Sequence, residues 1–278
     1  MNDAYLELIK RCLTRYSFPD KYRPLHRPSI YHPWARFLYP IVYPPAAWLL
    51  NKLGFVIVRD PKFVSSTRWE GHDLPPEAET MMGMDRLNNV HHCIEQIVKD
   101  GVEGDFIETG VWRGGGCIFM KAALNACGDT KRIVWVADSF EGCPKPDGRF
   151  DEREDAKFWV MGEVLGITLE RVKANFNRYG LLDDRVRFLK GWFKDTLPQA
   201  PISRLALMRL DGDMYSSTTD ALVNLYPKLS PGGFVIIDDY NANFSACRNA
   251  VNDFRAKNGV TEPIFKVDWT GVYWRKGK

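Results

Sequence analysis

Acidic residues follow two apolar segments in the C-terminal half of the sequence. Asp211 ends the segment LALMRLD, with Asp213 two residues further on, and Asp238 and Asp239 end the segment FVIIDD. Carboxylates that lie close together repel one another unless a cation neutralises them. Oxygen ligands suit Mg²⁺, Mn²⁺ or Ca²⁺ rather than zinc. If the two segments are neighbouring strands, the sequence predicts a metal site; otherwise these are separate solvated acids at loop starts.

A glycine-rich turn and a further acid indicate a cofactor that carries a nucleoside. Glu108-Thr109-Gly110 ends an apolar segment and precedes VWRGGG, and Asp138 ends RIVWVAD. Glycines after a first strand let the backbone approach a ligand closely, and an acid after the second strand can accept hydrogen bonds from ribose hydroxyls. Together they favour NAD or S-adenosylmethionine (SAM), although the GxGxxG spacing is absent. Each signal alone is equally consistent with a tight turn or a cap.

Strand and helix patterns alternate regularly from about residue 105. Strands are predicted at 105–111, 132–138, 186–191, 205–211 and 234–239, helices at 114–126, 168–179, 216–229 and 245–258, and a closing hairpin at 264–275. This alternation predicts an α/β fold with a doubly wound, mostly parallel sheet covered on both faces. Ligands bind beyond the carboxyl ends of such strands, where these acids and glycines stand.

The N-terminal part has a different composition. Residues 1–75 are predicted to be a helical and Pro/aromatic-rich extension, and residues 76–278 the catalytic domain. The segment 34–58 is mostly apolar, but Pro40, Pro44 and Pro45 are expected to break a helix there. We therefore expect it not to cross a membrane but to pack on its own domain or form a subunit interface, which favours a homo-oligomer. Contact of this segment with a membrane surface is the alternative.

Composition excludes some classes of protein. The chain has 278 residues, a net charge of +3 and no Lys/Arg run, so a nucleic-acid partner is not expected. Its six cysteines are scattered without zinc-site spacing, which favours a reducing cytoplasm. No histidine follows His92. A general base must therefore be a carboxylate or come from the N-terminal part.

Several segments resemble one enzyme family. The segments are TMMGMDRLNN (80–89), ETGVWRGG (108–115), WVADSFEG (135–142), LDGDMYSST (210–218) and IIDDY (236–240). They are similar to the macrocin O-methyltransferase (TylF-like) family, and the resemblance covers about residues 75–278. It implies a class I methyltransferase fold with a seven-stranded sheet and SAM as methyl donor. It further implies Mg²⁺ (or Mn²⁺) held by Asp211, Asp238 and Asp239, and a hydroxyl acceptor on a glycosylated natural product or on a phenol or catechol.

Specific roles follow from this resemblance. Asp211 is the first candidate for the general base, and Asp213 the second. The residues expected at the SAM site are Thr80, Met81, Glu108, Thr109, Gly110, Gly114, Asp138, Ser139, Trp192 and Phe193, with Arg86 in the segment that closes over the cofactor. The long connection from Phe140 to Ile167 is predicted to be a mobile lid over the acceptor. The alternatives are a nicotinamide-dependent oxidoreductase and a non-catalytic scaffold with the same fold.

Overall fold

A seven-stranded sheet forms the centre of the fold in the computed structural model. The structure describes residues 2–20, 22–24, 33–59, 62–73, 75–146, 148–149, 159, 165–241 and 245–277. The sheet strands are β3 (Asp105–Thr109), β4 (Val134–Asp138), β5 (Val186–Lys190), β6 (Leu205–Leu210), β7 (Leu229–Ile237), β8 (Phe265–Lys266) and β9 (Val272–Arg275). Their order is β5-β4-β3-β6-β7-β9-β8, and β9 runs in the direction opposite to the other six strands. The predicted doubly wound, mostly parallel sheet is confirmed.

Helices cover both faces of this sheet. They are α1 (Asp3–Leu13), α2 (Pro33–Lys52), α3 (Ser65–Glu70), α4 (Met84–Lys99), α5 (Gly115–Ala126), α6 (Leu169–Arg178), α7 (Phe193–Thr196), α8 (Tyr215–Leu225) and α9 (Ala246–Asn258). Helices α1, α4, α5 and α6 bury apolar side chains on one face, and α7, α8 and α9 on the other. Thr168 caps α6 as predicted, because its side chain accepts a hydrogen bond from the Arg171 amide.

Helix α1 belongs to the main core rather than to a separate extension. Leu6 and Leu13 are fully buried, and they pack in the same apolar cluster as α4 and α5. The Glu79 amide also donates to the Leu13 carbonyl at 3.0 Å. The expected boundary at residue 75 therefore does not separate α1 from the domain, because its amphipathic face completes one side of the core.

Helix α2 continues through three prolines that were expected to break it. The 20-residue helix includes Pro40, Pro44 and Pro45. The missing amides would have bonded the carbonyls of residues 36, 40 and 41, which lie on one side of the helix. Ile41 is 70% exposed, so water can reach the carbonyl group that Pro45 leaves without its usual donor. None of the helices in the described part of the chain combines the length and hydropathy needed to cross a bilayer.

Two further features of the structure were not predicted. The first is a separate antiparallel ribbon, formed by β1 (Arg23–Pro24) and β2 (Val58–Arg59). Helix α8 ends at Leu225 rather than at Leu229, since Pro227 lies in the 3₁₀ turn that follows. Strand β7 then begins at Leu229 and runs through Gly232 and Gly233 with a shift of register against β6. The Pro-Gly-Gly sequence therefore marks an irregular strand, not the end of a helix.

Candidate active site

A cleft opens beyond the carboxyl ends of β3, β4, β5 and β6. It encloses about 840 Å³ of empty space, part of which is open to solvent. Its walls include Met81, Gly110, Trp112, Asp138, Ser139, Gly142, Cys143, Pro144, Lys145, Arg149, Leu165, Gly191, Trp192, Phe193, Lys194, Asp211, Gly212, Asp213, Ser216, Ser217 and Asp220.

The glycine turn after β3 brings two strand ends into contact. Gly110 has φ of 81°, and a β-carbon at this position would lie 1.6 Å from the Asp211 carbonyl oxygen. Only glycine allows this approach. Trp112 also has a left-handed backbone, with φ of 48°, and lines the cleft. The turn and the acids after β6 are therefore parts of one site.

Asp138 lines the cleft and also holds the loops around it. Its carboxylate accepts hydrogen bonds from the amides of Val111 and Phe140, both at 2.8 Å. Burial raises the pKa of Asp138, and these amides only partly oppose the effect. The residue is thus both a cap of the turns, as one reading of the sequence held, and a polar group at the cleft wall.

The other expected SAM-site residues divide into two groups. Met81, Gly110, Ser139, Trp192 and Phe193 line the cleft together with Asp138. Thr80, Glu108, Thr109 and Gly114 instead lie behind its wall.

Each residue behind the wall has a packing role. The Thr80 hydroxyl accepts from the Met82 amide at 3.1 Å, and the Thr109 side chain is fully buried. Gly114 has φ of 87°, and a β-carbon there would meet the Val172 side chain of α6 at 2.8 Å. Glu108 is 1% exposed and forms an ion pair with Arg209. These residues therefore support the cleft from behind.

Three carboxylates converge beside the glycine turn, and two of them, Asp211 and Asp213, line the cleft. Asp211, Asp213 and Asp239 each offer an oxygen atom within 4.8 Å of the others. Burial, followed by the charge of neighbouring carboxylates, raises the pKa of Asp211 to about 6 and that of Asp213 to about 7, and holds that of Asp239 well above its ordinary value. This mutual repulsion is what a cation relieves, and the all-oxygen donor set fits a hard divalent ion.

Asp238 points away from this cluster, towards two arginines. Its Oδ2 accepts from Arg86 at 2.5 Å, and its Oδ1 accepts from Arg209. Burial raises the pKa of Asp238, but the Arg209 and Arg86 guanidinium groups outweigh it and bring the pKa below its ordinary value. Asp238 and Asp239 follow the last residue of β7, in a bend of the chain. Their carboxylates have different partners, although the sequence predicted that they act together.

Arg209 is the site residue that the sequence analysis missed. Its side chain is 2% exposed and contacts Glu108, Asp211 and Asp238. A charged residue inside the apolar segment LALMRLD was the available signal, because buried arginine almost always has acidic partners. Arg86, which was expected near the cofactor, instead joins α4 to Asp238 and Asp268.

The predicted lid lies mostly outside the described residues. Within the part of 140–167 that the structure describes, Cys143, Lys145 and Arg149 line the cleft, and Arg149 forms a two-point ion pair with Asp220. Among the residues described, no histidine lines the cleft.

Comparisons with known proteins agree with this fold. The family described as Macrocin-O-methyltransferase (TylF) matches residues 2–276. The chain is 50% identical over 275 residues to the 8-demethyl-8-(2,3-dimethoxy-alpha-L-rhamnosyl)-tetracenomycin-C 4'-O-methyltransferase of Streptomyces olivaceus, covering 98% of this chain and 92% of that protein. It is 50% identical over 223 residues to the Mycinamicin III 3''-O-methyltransferase of Micromonospora griseorubida, covering 79% and 87%.

A solved structure extends the similarity to three dimensions. The O-methyltransferase NovP is 39% identical, with a TM-score of 0.82 and coverage of 99% of both chains. The family match also includes α1, which agrees with the place of that helix in the core. The chain is therefore a methyltransferase with the class I fold, and it belongs to the macrocin O-methyltransferase (TylF) family.

Proposed function

We propose that this enzyme transfers a methyl group from SAM to a sugar hydroxyl of a glycosylated small molecule, with the help of Mg²⁺ or Mn²⁺. The observation that carries the proposal is the convergence of Asp211, Asp213 and Asp239 at the glycine turn of the cleft. A nicotinamide-dependent oxidoreductase has no need for such a carboxylate cluster. A non-catalytic scaffold with the same fold would likewise have no need for the carboxylate cluster.

The cleft has the features that a nucleoside-bearing sulfonium compound needs. Asp138 offers a carboxylate for ribose hydroxyls, and the rings of Trp192 and Phe193 offer apolar surface for adenine. Gly110 lines the same cleft, and its lack of a side chain lets the strand end that carries Asp211 lie close beside it. SAM supplies a methyl group that is already activated by its positively charged sulfur. The residues need only hold it in line with the acceptor oxygen.

The carboxylates divide the remaining work. Asp211 and Asp239 would hold the cation, with Asp238 fixed behind them by Arg86 and Arg209. Bound Mg²⁺ or Mn²⁺ lowers the pKa of an acceptor hydroxyl and stabilises its alkoxide. Asp213 lines the cleft and is the stronger candidate for the base, since the Arg209 contact reduces the basicity of Asp211. Asp211 remains the alternative base.

The acceptor class is inferred from the relatives. The Streptomyces protein is named for a rhamnosyl 4'-hydroxyl of a tetracenomycin, and the Micromonospora protein for a 3''-hydroxyl of mycinamicin III. Identity of 50% over 98% of this chain supports an acceptor of the same kind, a sugar such as rhamnose attached to a natural product. Two neighbouring sugar hydroxyls would also offer a divalent ion a chelating pair. A phenol or catechol acceptor is the alternative.

The test is a methylation assay with a panel of acceptors. Purified enzyme, SAM and Mg²⁺ are incubated with rhamnosylated polyketides, their aglycones and a catechol, and the products are identified by mass and NMR. We expect one methyl on one sugar hydroxyl, loss of activity in EDTA and recovery with Mg²⁺. Methylation of the catechol alone, or full activity in EDTA, would reject the acceptor or the metal respectively.

Variants of the acidic cluster test the assigned roles. Asp213→Asn should reduce kcat by 100-fold or more, as loss of a general base usually costs about 10²–10⁴, while SAM affinity measured by calorimetry changes little. The exposed Asp184→Asn is the matched control. If Asp213→Asn keeps wild-type kcat and Asp211→Asn does not, Asp211 is the base.

We further propose that the N-terminal arm, residues 41–64, contacts a second copy of the chain. The arm exposes ten large apolar side chains by 40–70% each: Ile41, Val42, Trp48, Leu49, Leu53, Phe55, Val56, Val58, Phe63 and Val64. Exposed apolar surface of this extent is unusual on a monomer. Light scattering after size exclusion should give a dimer or larger oligomer that Trp48→Glu with Phe55→Glu disrupts. A wild-type monomer at all concentrations would reject the interface.

A further inference from the structure

Arg209 lies in the centre of the sheet, directly behind the acidic cluster. It stands on β6 opposite Glu108 of β3 in the parallel register, with Asp211 two residues ahead on the same face. Its Nη1 contacts Glu108, and its Nη2 donates to Asp211 Oδ2 at 2.9 Å and to Asp238. One planar guanidinium therefore joins carboxylates from three neighbouring strand ends.

A second arginine secures the outer side of this arrangement. Arg86 Nη1 donates to Asp238 Oδ2 at 2.5 Å, and Arg86 Nε donates to Asp268 Oδ2 at 2.7 Å. Asp268 in turn accepts from the amides of Thr270 and Gly271 in the loop between β8 and β9. Both oxygens of Asp238 are thus engaged by arginines. The end of β7 is held between α4 and the C-terminal hairpin.

We propose that Arg209 is a positioning residue for the divalent cation. It holds the carboxylate of Asp211 directly, and it holds Asp238, which in turn fixes the position of the neighbouring Asp239. The inference rests on the proposed function, because it assigns a role towards the same metal. With Oδ2 of Asp211 held by Arg209, the remaining oxygen Oδ1 has its direction set relative to Asp213 and Asp239. A lysine cannot replace the Arg209 guanidinium group, since a single ammonium group does not span three carboxylates.

Electrostatic repulsion and positioning predict opposite changes in cation affinity when Arg209 is removed, which makes the inference testable. Arg209 is a cation beside a cation site, so its removal by itself would strengthen the binding of a second cation. Positioning predicts weaker binding. The double variant Arg209→Met with Glu108→Gln removes one positive and one negative charge together, so the net charge of the site is unchanged.

The same two strands provide a matched control pair. Arg204 and Glu103 form an ion pair just before β6 and β3 begin, with side chains 57% and 77% exposed. Arg204→Met with Glu103→Gln therefore makes the same chemical change at the far end of the same strands. It leaves the cluster at the cleft untouched.

The experiment measures Mn²⁺ affinity by electron paramagnetic resonance titration and SAM affinity by calorimetry, on full-length protein. For Arg209→Met with Glu108→Gln, and for Arg209→Lys, we expect Mn²⁺ affinity to fall at least tenfold while SAM affinity stays within threefold. The control pair should change neither. If the double variant does not fold, Arg209→Lys, which keeps the charge, decides the question.

Three outcomes would overturn the inference. Mn²⁺ affinity within twofold of wild type in the Arg209 variants would show that the Arg209 guanidinium group does not position the carboxylates of the metal site. Equal losses of Mn²⁺ and SAM affinity would show a general structural role. If the wild type binds no Mn²⁺, the proposed metal requirement fails first and this inference with it, so the two failures are distinguishable.

Discussion

Replacing Gly110 with alanine tests whether the turn after β3 must touch the strand end that carries Asp211. The new β-carbon would lie 1.6 Å from the Asp211 carbonyl oxygen and 2.7 Å from its carbonyl carbon. A carbon–oxygen contact normally needs roughly 3.3 Å, so one of the two backbones must move by roughly 1.7 Å. Alanine at the φ of 81° found here adds a conformational cost of about 1–2 kcal/mol.

Gly128→Ala is the matched control. Gly128 has φ of 69°, and nothing lies within 4 Å of its would-be β-carbon. We expect Gly128→Ala to lower the free energy of unfolding by about 1 kcal/mol and leave kcat unchanged. Gly110→Ala should cost about 3 kcal/mol, because overpacking adds to the strain. Its kcat should fall by about 100-fold, since displacement of a catalytic group by 1 Å is enough for that loss.

Urea denaturation and methyl transfer under saturating SAM measure these two quantities. The difference between the two alanine variants isolates the close approach, because both carry the same backbone strain. If Gly110→Ala unfolds within about 0.5 kcal/mol of Gly128→Ala and keeps its kcat, the contact between Gly110 and Asp211 is not needed for the site.

Three further predictions concern other groups of the cleft and core. Asp238→Asn should lower the free energy of unfolding by about 3 kcal/mol, because Arg86 and Arg209 lose a buried partner; a loss in urea denaturation no larger than that of exposed Asp184→Asn would contradict this. Asp138→Ala should weaken SAM binding at least tenfold in calorimetry, as it removes a cleft carboxylate that also holds the Val111 and Phe140 amides; unchanged affinity would remove the ribose assignment. Burial raises the pKa of Glu79 above its ordinary value of 4.5, because the buried site favours the protonated side chain. The stability that the protonated side chain contributes is fully present below pH 4.5 and is lost as the pH rises through the raised pKa. Glu79→Gln should therefore raise the urea midpoint relative to wild type at pH 8 but not at pH 4, and a gain of the same size at both pH values would show that ionisation is not the cause.

The order of strands and helices was predictable because buried parallel strands are continuous apolar segments. The segments VWVA and FVII became β4 and part of β7. The family resemblance added the site, since its motifs stand at the strand ends. The predicted helix bounds were wrong in two segments that contain proline. Helix α2 accepts three prolines, whereas Pro227 ends α8 earlier than the apolar pattern suggested.

The acidic cluster shows the limit of motif reasoning. Asp211 and Asp239 converge as predicted, and Asp213 joins them, but Asp238 faces Arg86 and Arg209 instead. The sequence contains Asp238-Asp239 as one motif, while the partners of each side chain depend on the bend that follows β7 and on arginines from α4 and β6. Arg209 was missed for a related reason. Its three partners are separated by up to 130 positions along the chain, from 108 to 238.

The sequence by itself determined the class of fold, the membership of a methyltransferase family and the strand ends at which the chemistry lies. These follow from periodicity and from residue types at fixed spacing, which are local properties. Only the tertiary structure decided which carboxylates face the cleft and which are held by arginines, and that Glu108 and Gly114 lie behind its wall rather than in it. Those outcomes depend on the register of β3, β6 and β7 and on the approach of α4, which bring together residues far apart in the chain.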